Sequence, residues 1–183
     1  MTTFHLIRHG EPDWNMTITR RMHPCRHDFV PLTPVGLREA EEVSLDSTIR
    51  NATLILSSPY TRALQTAAII SRNTGIPINV EYDLYERLPD RSFSVDSAKE
   101  LHRLCREWEE CKGDPSASPD ARWEPVDSIR NRVLGVLEGY LTLTEVIVVF
   151  HELAIRSVIG VEERVPHCGL RSITNNDLFP PVS

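Results

Sequence analysis

The chain has 183 residues, a length typical of one globular domain with a buried core. Its 20 Lys and Arg residues against 26 Asp and Glu residues give a net charge of −6, and no basic run alternates with aromatic residues as a nucleic-acid surface requires. The apolar residues 4–7 are too few for a signal-peptide core, and no stretch approaches membrane-spanning length. We therefore predict a single domain over residues 1–183, in a soluble cytoplasmic protein that binds neither nucleic acid nor membranes.

Strands and helices alternate along the first half of the chain. Residues 3–8 predict a strand. Thr33 is a predicted helix N-cap with Pro34 at the first helical position, and apolar residues recur after it at helical spacing. Residues 53–57 form a short apolar run that predicts a buried strand. The pair Ser58-Pro59 predicts the start of the next helix, and Gly75 predicts its end.

The second half of the chain continues this alternation. Residues 76–80 predict a short strand, residues 98–111 and 126–141 predict two longer helices, and residues 145–150 form the most strand-like run. Strands separated by helices favour an α/β fold, here a three-layer sandwich with a mostly parallel central sheet and helices on both faces. Such folds bind ligands beyond the carboxyl ends of their strands.

Cationic and imidazole side chains follow three of the predicted strands. Arg8 and His9 stand at the end of the first strand, Arg62 lies in the first turn of the helix after another, and His151 directly follows the run that ends at residue 150. Because the carboxyl ends of parallel strands meet at one edge, we expect these side chains to share a pocket. Guanidinium groups match phosphate oxygens, and a neutral imidazole is a competent nucleophile near pH 7. Helix N-termini after Ser58 and His151 would add backbone donors.

Four segments of the chain strongly resemble the histidine phosphatase superfamily, also described as phosphoglycerate mutase-like. They are LIRHGEPDWN, PLTPVGLREA, SSPYTRALQTA and VVFHELAIR, and they occur in the family's order. The resemblance implies that His9 is the phosphorylated nucleophile, that Arg8 and Arg62 hold the phosphoryl oxygens, and that His151 completes the pocket. Asn15 matches a position that contacts phosphate in many members, although an asparagine there could equally cap a turn.

A proton donor for the leaving oxygen is also required, and a carboxylic acid is the family's usual choice. Glu86, in the segment YDLYER, is the predicted donor because it lies in a loop after the strand that ends at residue 80. The match is poorer here, since the chain continues RLPDRSFS where family members often have a glycine and a Trp-Glu-Gly segment. Glu11, beside the nucleophile, is the alternative donor and Asp83 a third. A solvated loop carboxylate is the alternative interpretation of Glu86.

Two further departures from the family pattern affect the predicted site. Glu152 stands where the family commonly has a glycine, so a carboxylate would repel phosphate unless its side chain turns away. Residues 16–30, MTITRRMHPCRHDFV, lack the family's usual Gln-Gly and aspartate pattern, so this loop indicates no particular substrate. Trp14 lies between His9 and Asn15, where it could line the pocket or pack elsewhere.

The sequence favours neither a metal site nor a disulfide. The four cysteines show no disulfide-framework spacing, which indicates reduced thiols; they are Cys25, Cys105, Cys111 and Cys168. The segment HPCRH at residues 23–27 resembles a metal-binding cluster, but so short a segment containing Pro cannot easily surround a tetrahedral ion. We therefore expect a protein without a metal or another cofactor.

These observations predict a metal-independent phosphomonoesterase that acts on a small phosphorylated metabolite through a phosphohistidine intermediate. One alternative is a phosphotransferase of the phosphoglycerate mutase type, although the chain is short for the mutases it resembles. Another is a phosphoprotein phosphatase, or a weakly active or noncatalytic binder of phosphorylated ligands, which Glu152 and the altered segment after Glu86 keep open. The pattern names neither the substrate nor the oligomeric state, because specificity lies in loop geometry.

Overall fold

The computed structural model describes residues 1–118, 120–160 and 164–179. Its centre is one five-stranded sheet, whose strands are β1 (Thr3–Arg8), β2 (Leu54–Ser57), β3 (Ile78–Val80), β4 (Glu145–Phe150) and β5 (Leu170–Thr174). The strands are arranged in the order β3-β2-β4-β1-β5. All neighbours are parallel except β5, which runs antiparallel to β1. The predicted mostly parallel sheet is confirmed. The last four residues of the predicted domain, 180–183, lie outside the described residues.

Helices surround the sheet. Those of the described residues are α1 (Asn15–Thr19), α2 (Pro34–Val43), α3 (Thr61–Thr74), α4 (Ala98–Glu110), α5 (Val126–Glu138), α6 (Glu152–Ile159) and α7 (Asn175–Leu178). Short 3₁₀ turns lie between them at Pro24–Phe29, Ser47–Ile49, Tyr82–Leu84 and Pro115–Ala117. In the part of the chain described here, none of the helices combines the length and apolar character needed to cross a bilayer.

Alternate side chains of the central strands pack on opposite faces of the sheet, as the pleat requires. Ile55 and Ile147 pack in a cluster with residues of α2 and α3. Leu56 and Val148, their neighbours in sequence, pack in a second cluster with residues of α4, α5 and α6. The sheet is therefore the middle layer of an α/β/α sandwich, as predicted, and the carboxyl ends of β2, β4 and β1 open side by side at one edge.

The helix caps confirm two sequence predictions and correct a third. Thr33 caps α2 by accepting a hydrogen bond from the Gly36 amide at 3.0 Å, and Gly75 ends α3 in the left-handed region at φ 77°. The predicted start of α3 at Ser58-Pro59 is wrong, because the helix begins at Thr61. The Ser58 hydroxyl instead accepts from the Tyr60 amide at 3.3 Å, which forms a turn before the helix.

Other element boundaries also differ from the predictions. The predicted strand 76–80 is shortened to Ile78–Val80, and α5 ends at Glu138 rather than at residue 141. Strand β5 was not predicted at all. It is an edge strand with the polar residues Arg171 and Ser172 exposed in its middle, so it lacks the apolar run that marks a buried strand.

Candidate active site

Two buried histidines face each other where β1 and β4 end. His9 follows β1 and His151 follows β4, and these strands are paired along their whole length. The two rings lie 5.1 Å apart between centroids and are inclined at 63°. Arg62, in the first turn of α3 after β2, joins them from the other neighbour of β4. His9 and Arg62 are each 5% exposed and His151 is fully buried.

The hydrogen bonds of His9 select one tautomer of its ring. Nδ1 lies 2.7 Å from the carbonyl oxygen of Gly10, which can only accept, so Nδ1 carries the proton. The Nε–H of Arg62 donates to Nε2 at 3.2 Å, so Nε2 offers its lone pair. Burial, followed by the positive charge of Arg62, holds the pKa of His9 well below its usual value. His9 is therefore a neutral imidazole whose Nε2 lone pair faces a guanidinium group.

The guanidinium of Arg62 is held by three neighbours besides His9. Its Nη1 donates to the backbone carbonyl of His27 at 3.0 Å. Its central carbon lies 5.5 Å from the ring centroid of Trp14 and 5.0 Å from that of Tyr60. Trp14 thus contributes to the pocket wall through Arg62. Burial lowers the pKa of Arg62 and the negative charge of Glu86 acts in the opposite direction.

His151 is anchored through one ring nitrogen. Its Nε2 lies 2.8 Å from the hydroxyl oxygen of Ser58, which directly follows β2, and the ring of Tyr60 packs against it at 4.9 Å between centroids. Its Nδ1 is buried and has no hydrogen-bond partner among the described residues. Burial, and then the charge of Arg62, lowers the pKa of His151 well below its usual value. When the Ser58 hydroxyl donates to Nε2, Nδ1 carries a proton that an anionic oxygen can accept.

Arg8 is paired with Glu152, so the carboxylate does not turn away from the pocket. Nη1 of Arg8 lies 3.0 Å from Oε2 of Glu152 and donates to the backbone carbonyl of Val165 at 2.7 Å. Nε of Arg8 is buried and has no partner within the described part of the chain. Burial lowers the pKa of Arg8, whereas Glu152 and then Glu86 act to raise it. The Nε donor of Arg8 therefore remains for a ligand, while Glu152 partly neutralises the charge of the guanidinium.

Glu86 reaches the same pocket. Its Oε2 lies 3.4 Å from the backbone nitrogen of Leu153, in the first turn of α6, and its Oε1 accepts from the amide of Arg87 at 3.0 Å. Its charge acts on both Arg8 and Arg62. The loop after β3 thus brings a carboxylate to the edge where the two histidines lie, and its role as proton donor stays a prediction.

The two alternative carboxylates are placed differently. Oε2 of Glu11 accepts from the hydroxyl of Thr33 at 2.5 Å, which ties it to the cap of α2. Asp83 is exposed and belongs to the turn that precedes Glu86. Glu86, whose charge acts on both Arg8 and Arg62, is therefore the candidate that the geometry favours among the three.

Asn15 does not reach the pocket through a hydrogen bond of its side chain. It is exposed, it is the first residue of α1, and in the described part of the chain only its backbone carbonyl is bonded, to the hydroxyl of Thr19 at 3.1 Å. The helix N-cap is Trp14 rather than Asn15. The predicted phosphate contact of Asn15 therefore stays a prediction.

The structure adds residues that sequence reasoning missed. The ring of His167 lies 6.1 Å from that of His9 between centroids, because the amide of the next residue, Cys168, donates to the carbonyl of Arg8 at 3.0 Å. Burial, and then the charge of Arg8, lowers the pKa of His167. Tyr60 lies within SSPYTRALQTA, a segment that resembles the family, so the sequence could have indicated it. His167 lies in a loop with no motif around it.

The cluster at residues 23–27 does not assemble into a metal site. Nδ1 of His23 lies 3.0 Å from Sγ of Cys25, and this segment is exposed on a 3₁₀ turn. Over residues 1–118, 120–160 and 164–179, no three His, Cys, Asp or Glu side chains are grouped as ligands of an ion. The site described above instead combines two arginines, two neutral histidines and helix-terminal amides, a set suited to the oxygens of a phosphoryl group.

Comparison with known proteins agrees with this arrangement. A family model described as the histidine phosphatase superfamily, branch 1, matches residues 4–176. The probable phosphoglycerate mutase GpmB of Proteus mirabilis is 30% identical over 149 residues, which are 79% of this chain and 66% of that protein. The uncharacterized phosphatase PhoE of Bacillus subtilis is 35% identical over 88 residues, 48% of this chain and 43% of that protein. The chain thus spans less than two thirds of the length of these relatives.

Solved structures share the fold. Bacillus stearothermophilus YhfR superposes with a TM-score of 0.74 at 21% identity, over 95% of this chain and 91% of that one. A mycobacterial glucosyl-3-phosphoglycerate phosphatase superposes with a TM-score of 0.72 at 17% identity, over 95% and 90% of the two chains. At these identities the likeness establishes the architecture and does not by itself transfer a substrate.

Proposed function

The chain belongs to the histidine phosphatase superfamily, and we propose that it is a metal-independent phosphomonoesterase acting on small phosphorylated metabolites through a phosphohistidine at His9. One observation carries the proposal: Nδ1 of His9 is bonded to the Gly10 carbonyl while Nε2 presents its lone pair beside Arg62. A buried neutral imidazole of fixed tautomer, facing a cation, is the arrangement that attack on phosphorus requires.

In the first chemical step, Nε2 of His9 attacks phosphorus, so an N–P bond forms as the P–O bond to the leaving group breaks. The ring becomes positively charged, and the Gly10 carbonyl bonded to Nδ1–H stabilises that charge. Arg8, Arg62 and His151 supply donors for the phosphoryl oxygens. Because Arg62 and His151 are buried and Arg8 is partly buried, their interaction with the developing charge is stronger than in water.

Glu86 supplies the proton for the leaving oxygen. The proton passes from its carboxyl group to that oxygen as the P–O bond breaks. When Glu86 turns toward the leaving oxygen, the Leu153 amide, which lies 3.4 Å from its Oε2, becomes a donor to the phosphoryl group at the start of α6. After the alcohol leaves, the ionised Glu86 accepts a proton from the water that attacks the phosphohistidine.

A mutase-type phosphotransferase is the second candidate, favoured by the 30% identity to a probable phosphoglycerate mutase. Both activities begin with the same phosphoenzyme and differ in whether water or a hydroxyl group accepts the phosphoryl group. Phosphate release measured with and without an added hydroxyl acceptor separates them. We expect water to accept the phosphoryl group, so that the added hydroxyl compound leaves the yield of inorganic phosphate unchanged.

A phospho-ligand binder without turnover is the third candidate, and the observation that favours it is the pairing of Arg8 with Glu152 at 3.0 Å. In such a protein the carboxylate would hold Arg8 away from a productive phosphate position. Absence of any phosphoenzyme during incubation with a panel of phosphomonoesters would support this alternative. The same panel would identify the preferred substrate class if turnover occurs.

The decisive experiment is to trap the phosphoenzyme. We expect rapid acid-free quench of the protein with a ³²P-labelled phosphomonoester to give a label that is acid-labile and base-stable, as a phosphoramidate is. His9→Ala should abolish both the label and turnover. His102→Ala, which changes an exposed histidine on α4, is the matched control and should retain both. A label that persists in His9→Ala would remove His9 from the proposed role.

The proposed cellular setting is the cytoplasm. Cys25, Cys105, Cys111 and Cys168 are all free thiols, which fits a reducing compartment. The proposed partner is a small phosphomonoester, since the pocket is built from buried side chains at the edge of the sheet.

A further inference from the structure

The loop that carries Glu86 is the part of the site that matches the family pattern least well, and its own contacts do not fix the carboxylate. Among residues 1–118, 120–160 and 164–179, the carboxylate of Glu86 accepts hydrogen bonds only from the amides of Arg87 and Leu153, the latter at 3.4 Å. Within the described residues, no arginine, lysine or histidine forms an ion pair with it. The position of its carboxylate therefore depends on where the backbone on either side of it is held.

One arginine holds the backbone on the N-terminal side. Nη1 of Arg132, on α5, donates to the carbonyl of Asp83 at 2.6 Å and to the carbonyl of Tyr85 at 2.7 Å. The guanidinium carbon also lies 3.7 Å from the centroid of the Tyr85 ring. Two carbonyls and one ring immediately before Glu86 are thus attached to a single side chain.

One glutamate holds the backbone on the C-terminal side. Oε2 of Glu124 accepts from the amide of Leu88 at 3.1 Å, and the amide of Glu124 donates to the carbonyl of Leu88 at 2.9 Å. The same carboxylate meets Arg132 in a bidentate pair, with Nε to Oε1 at 2.8 Å and Nη2 to Oε2 at 3.1 Å. The side chains of this pair are 10% and 4% exposed. A single buried ion pair therefore grips the chain on both sides of Glu86.

The ion pair is itself mounted on the hydrophobic core. Arg132 lies on α5, whose residues Ile129 and Val133 are fully buried. The indole Nε1–H of Trp108 donates to the carbonyl of Glu124 at 2.9 Å, which links the pair to α4. Charged groups placed on such a rigid support hold a geometry that a flexible loop could not hold alone.

We propose that Arg132, supported by Glu124, is a positioning residue that holds Glu86 at the distance at which it can protonate the leaving group. The inference rests on the proposed function of Glu86, and it goes beyond that function because it assigns a role to residues that do not contact the substrate. A displacement of about 1 Å of a reacting group is enough to slow a reaction on the order of 10²-fold. Loss of this clamp, the ion pair of Arg132 and Glu124 with its bonds to the backbone around Glu86, should therefore affect the proton-transfer step selectively.

The test compares Arg132→Gln with Arg130→Gln. Arg130 lies on the same helix and donates to the carbonyls of Ser157 and Val158, both at 2.9 Å, so its loss removes two arginine–carbonyl bonds away from the Glu86 loop. Single-turnover formation of the phosphoenzyme is measured with an alkyl phosphate and with para-nitrophenyl phosphate, whose leaving group needs no acid. We expect Arg132→Gln to slow the alkyl ester about tenfold or more relative to the aryl ester, as partial loss of general acid catalysis predicts. Arg130→Gln should leave this ratio unchanged.

A double variant shows whether the effect passes through Glu86. In the Glu86→Gln background, Arg132→Gln should produce no further selective loss, because the group that it positions is gone. A selective loss that persists in this background overturns the proposal, and so does an equal loss for both esters in a folded Arg132→Gln protein. If Arg132→Gln does not fold, Arg132→Lys replaces it, since lysine keeps the charge but cannot bridge two carbonyls and a carboxylate in one plane.

A second readout does not depend on activity. Amide hydrogen exchange at residues 85–88 should be faster in Arg132→Gln than in Arg130→Gln, because the Leu88 amide and its neighbours lose their support. Unchanged protection there overturns the clamp even if the enzyme is active. If the wild type forms no phosphoenzyme, the proposed function fails, and with it the catalytic role of Arg132. Faster exchange in Arg132→Gln would still establish that Arg132 holds the loop.

Discussion

The Nε–H of Arg62 donates a hydrogen bond across 3.2 Å to Nε2 of His9, the same nitrogen that the Gly10 carbonyl leaves unprotonated. The guanidinium thus covers the nucleophile when no phosphoryl group is bound. An incoming phosphoryl oxygen can take over this donor, which frees the Nε2 lone pair at the moment when phosphorus is in place. In the proposed mechanism, one hydrogen bond therefore couples attack by His9 to binding of the phosphoryl group.

The ring of His9 should remain neutral at a pH low enough to protonate an ordinary histidine. Burial and the charge of Arg62 lower the pKa of His9 in the folded protein, whereas a histidine of the unfolded chain has a pKa of about 6.5. Between the pKa of the folded state and that of the unfolded state, the unfolded chain binds a proton that the folded chain does not. The contribution of His9 to the free energy of unfolding is therefore complete above about pH 6.5 and is lost as the pH falls through the folded pKa. Long-range ¹H–¹⁵N NMR at pH 6 should show a neutral ring protonated at Nδ1. A doubly protonated His9 at that pH would contradict the assignment.

Replacement of Glu86 should affect substrates according to their leaving groups. Glu86→Gln should slow phosphoenzyme formation from alkyl phosphates on the order of 10²- to 10⁴-fold, because general acid catalysis contributes this much, and should spare para-nitrophenyl phosphate. Hydrolysis of the phosphoenzyme can slow for both esters, so single-turnover formation is the step to measure. Equal losses for the two esters would remove Glu86 from the role, and the unequal pattern in Glu11→Gln would transfer it to Glu11.

Neutralising Glu152 should strengthen phosphate binding. Glu152→Gln removes the carboxylate that lies 3.0 Å from Nη1 of Arg8. A partly screened ion pair is worth on the order of 1 kcal/mol, so competitive inhibition by inorganic phosphate should tighten about fivefold, most clearly at low salt. Glu138→Gln, at an exposed position on α5, should leave the inhibition constant unchanged. Weaker inhibition in Glu152→Gln would mean that Glu152 orients Arg8 for phosphate.

The approach of α2 to the segment after His9 requires a glycine at residue 36. A Cβ at Gly36 would lie 2.3 Å from the backbone oxygen of Glu11 and 2.7 Å from its nitrogen. Gly36→Ala should lower the free energy of unfolding by about 1–3 kcal/mol, as forced overpacking does. Gly135→Ala on α5 meets no atom within 4 Å and should raise that free energy by up to about 1 kcal/mol. Urea unfolding of the two variants makes the comparison, and equal values would show that the backbone relaxes around the added methyl group without cost.

Turnover should not depend on a divalent ion. Arg8 and Arg62 supply the positive charge that metal ions supply in kinases and ATPases. Incubation with EDTA, followed by assay in chelator, should leave kcat/KM unchanged. Activity that disappears in EDTA and returns with zinc or magnesium would contradict this and would direct attention to His23, Cys25 and His27.

The central strands could be predicted from the sequence with their true limits. Strands β1 and β4 begin and end at the predicted residues because the inner residues of both are buried in succession, on both faces of the sheet. The meeting of Arg8, His9, Arg62 and His151 followed from that prediction, since parallel strand ends share an edge.

Contacts made between distant loops could not be predicted in this way. The pairing of Arg8 with Glu152 depends on side-chain conformations at the start of α6, and the approach of His167 depends on a loop without periodicity. The support of Glu86 comes from Arg132, whose position on a half-buried helix face is typical of an ordinary solvated arginine. Such contacts have no local sequence signal because each partner is set by tertiary packing.

The position of β4 between β1 and β2 also determines when the pocket can form. The two earlier strands pair with β4 and not with each other, so a growing chain carries His9 and Arg62 on strands that have no common neighbour. Pairing across such sequence separations is slow, and it must wait until residues 145–150 have been synthesised. The centre of the sheet, and with it the meeting of His9, Arg62 and His151, therefore requires β4, and a chain interrupted before β4 has neither.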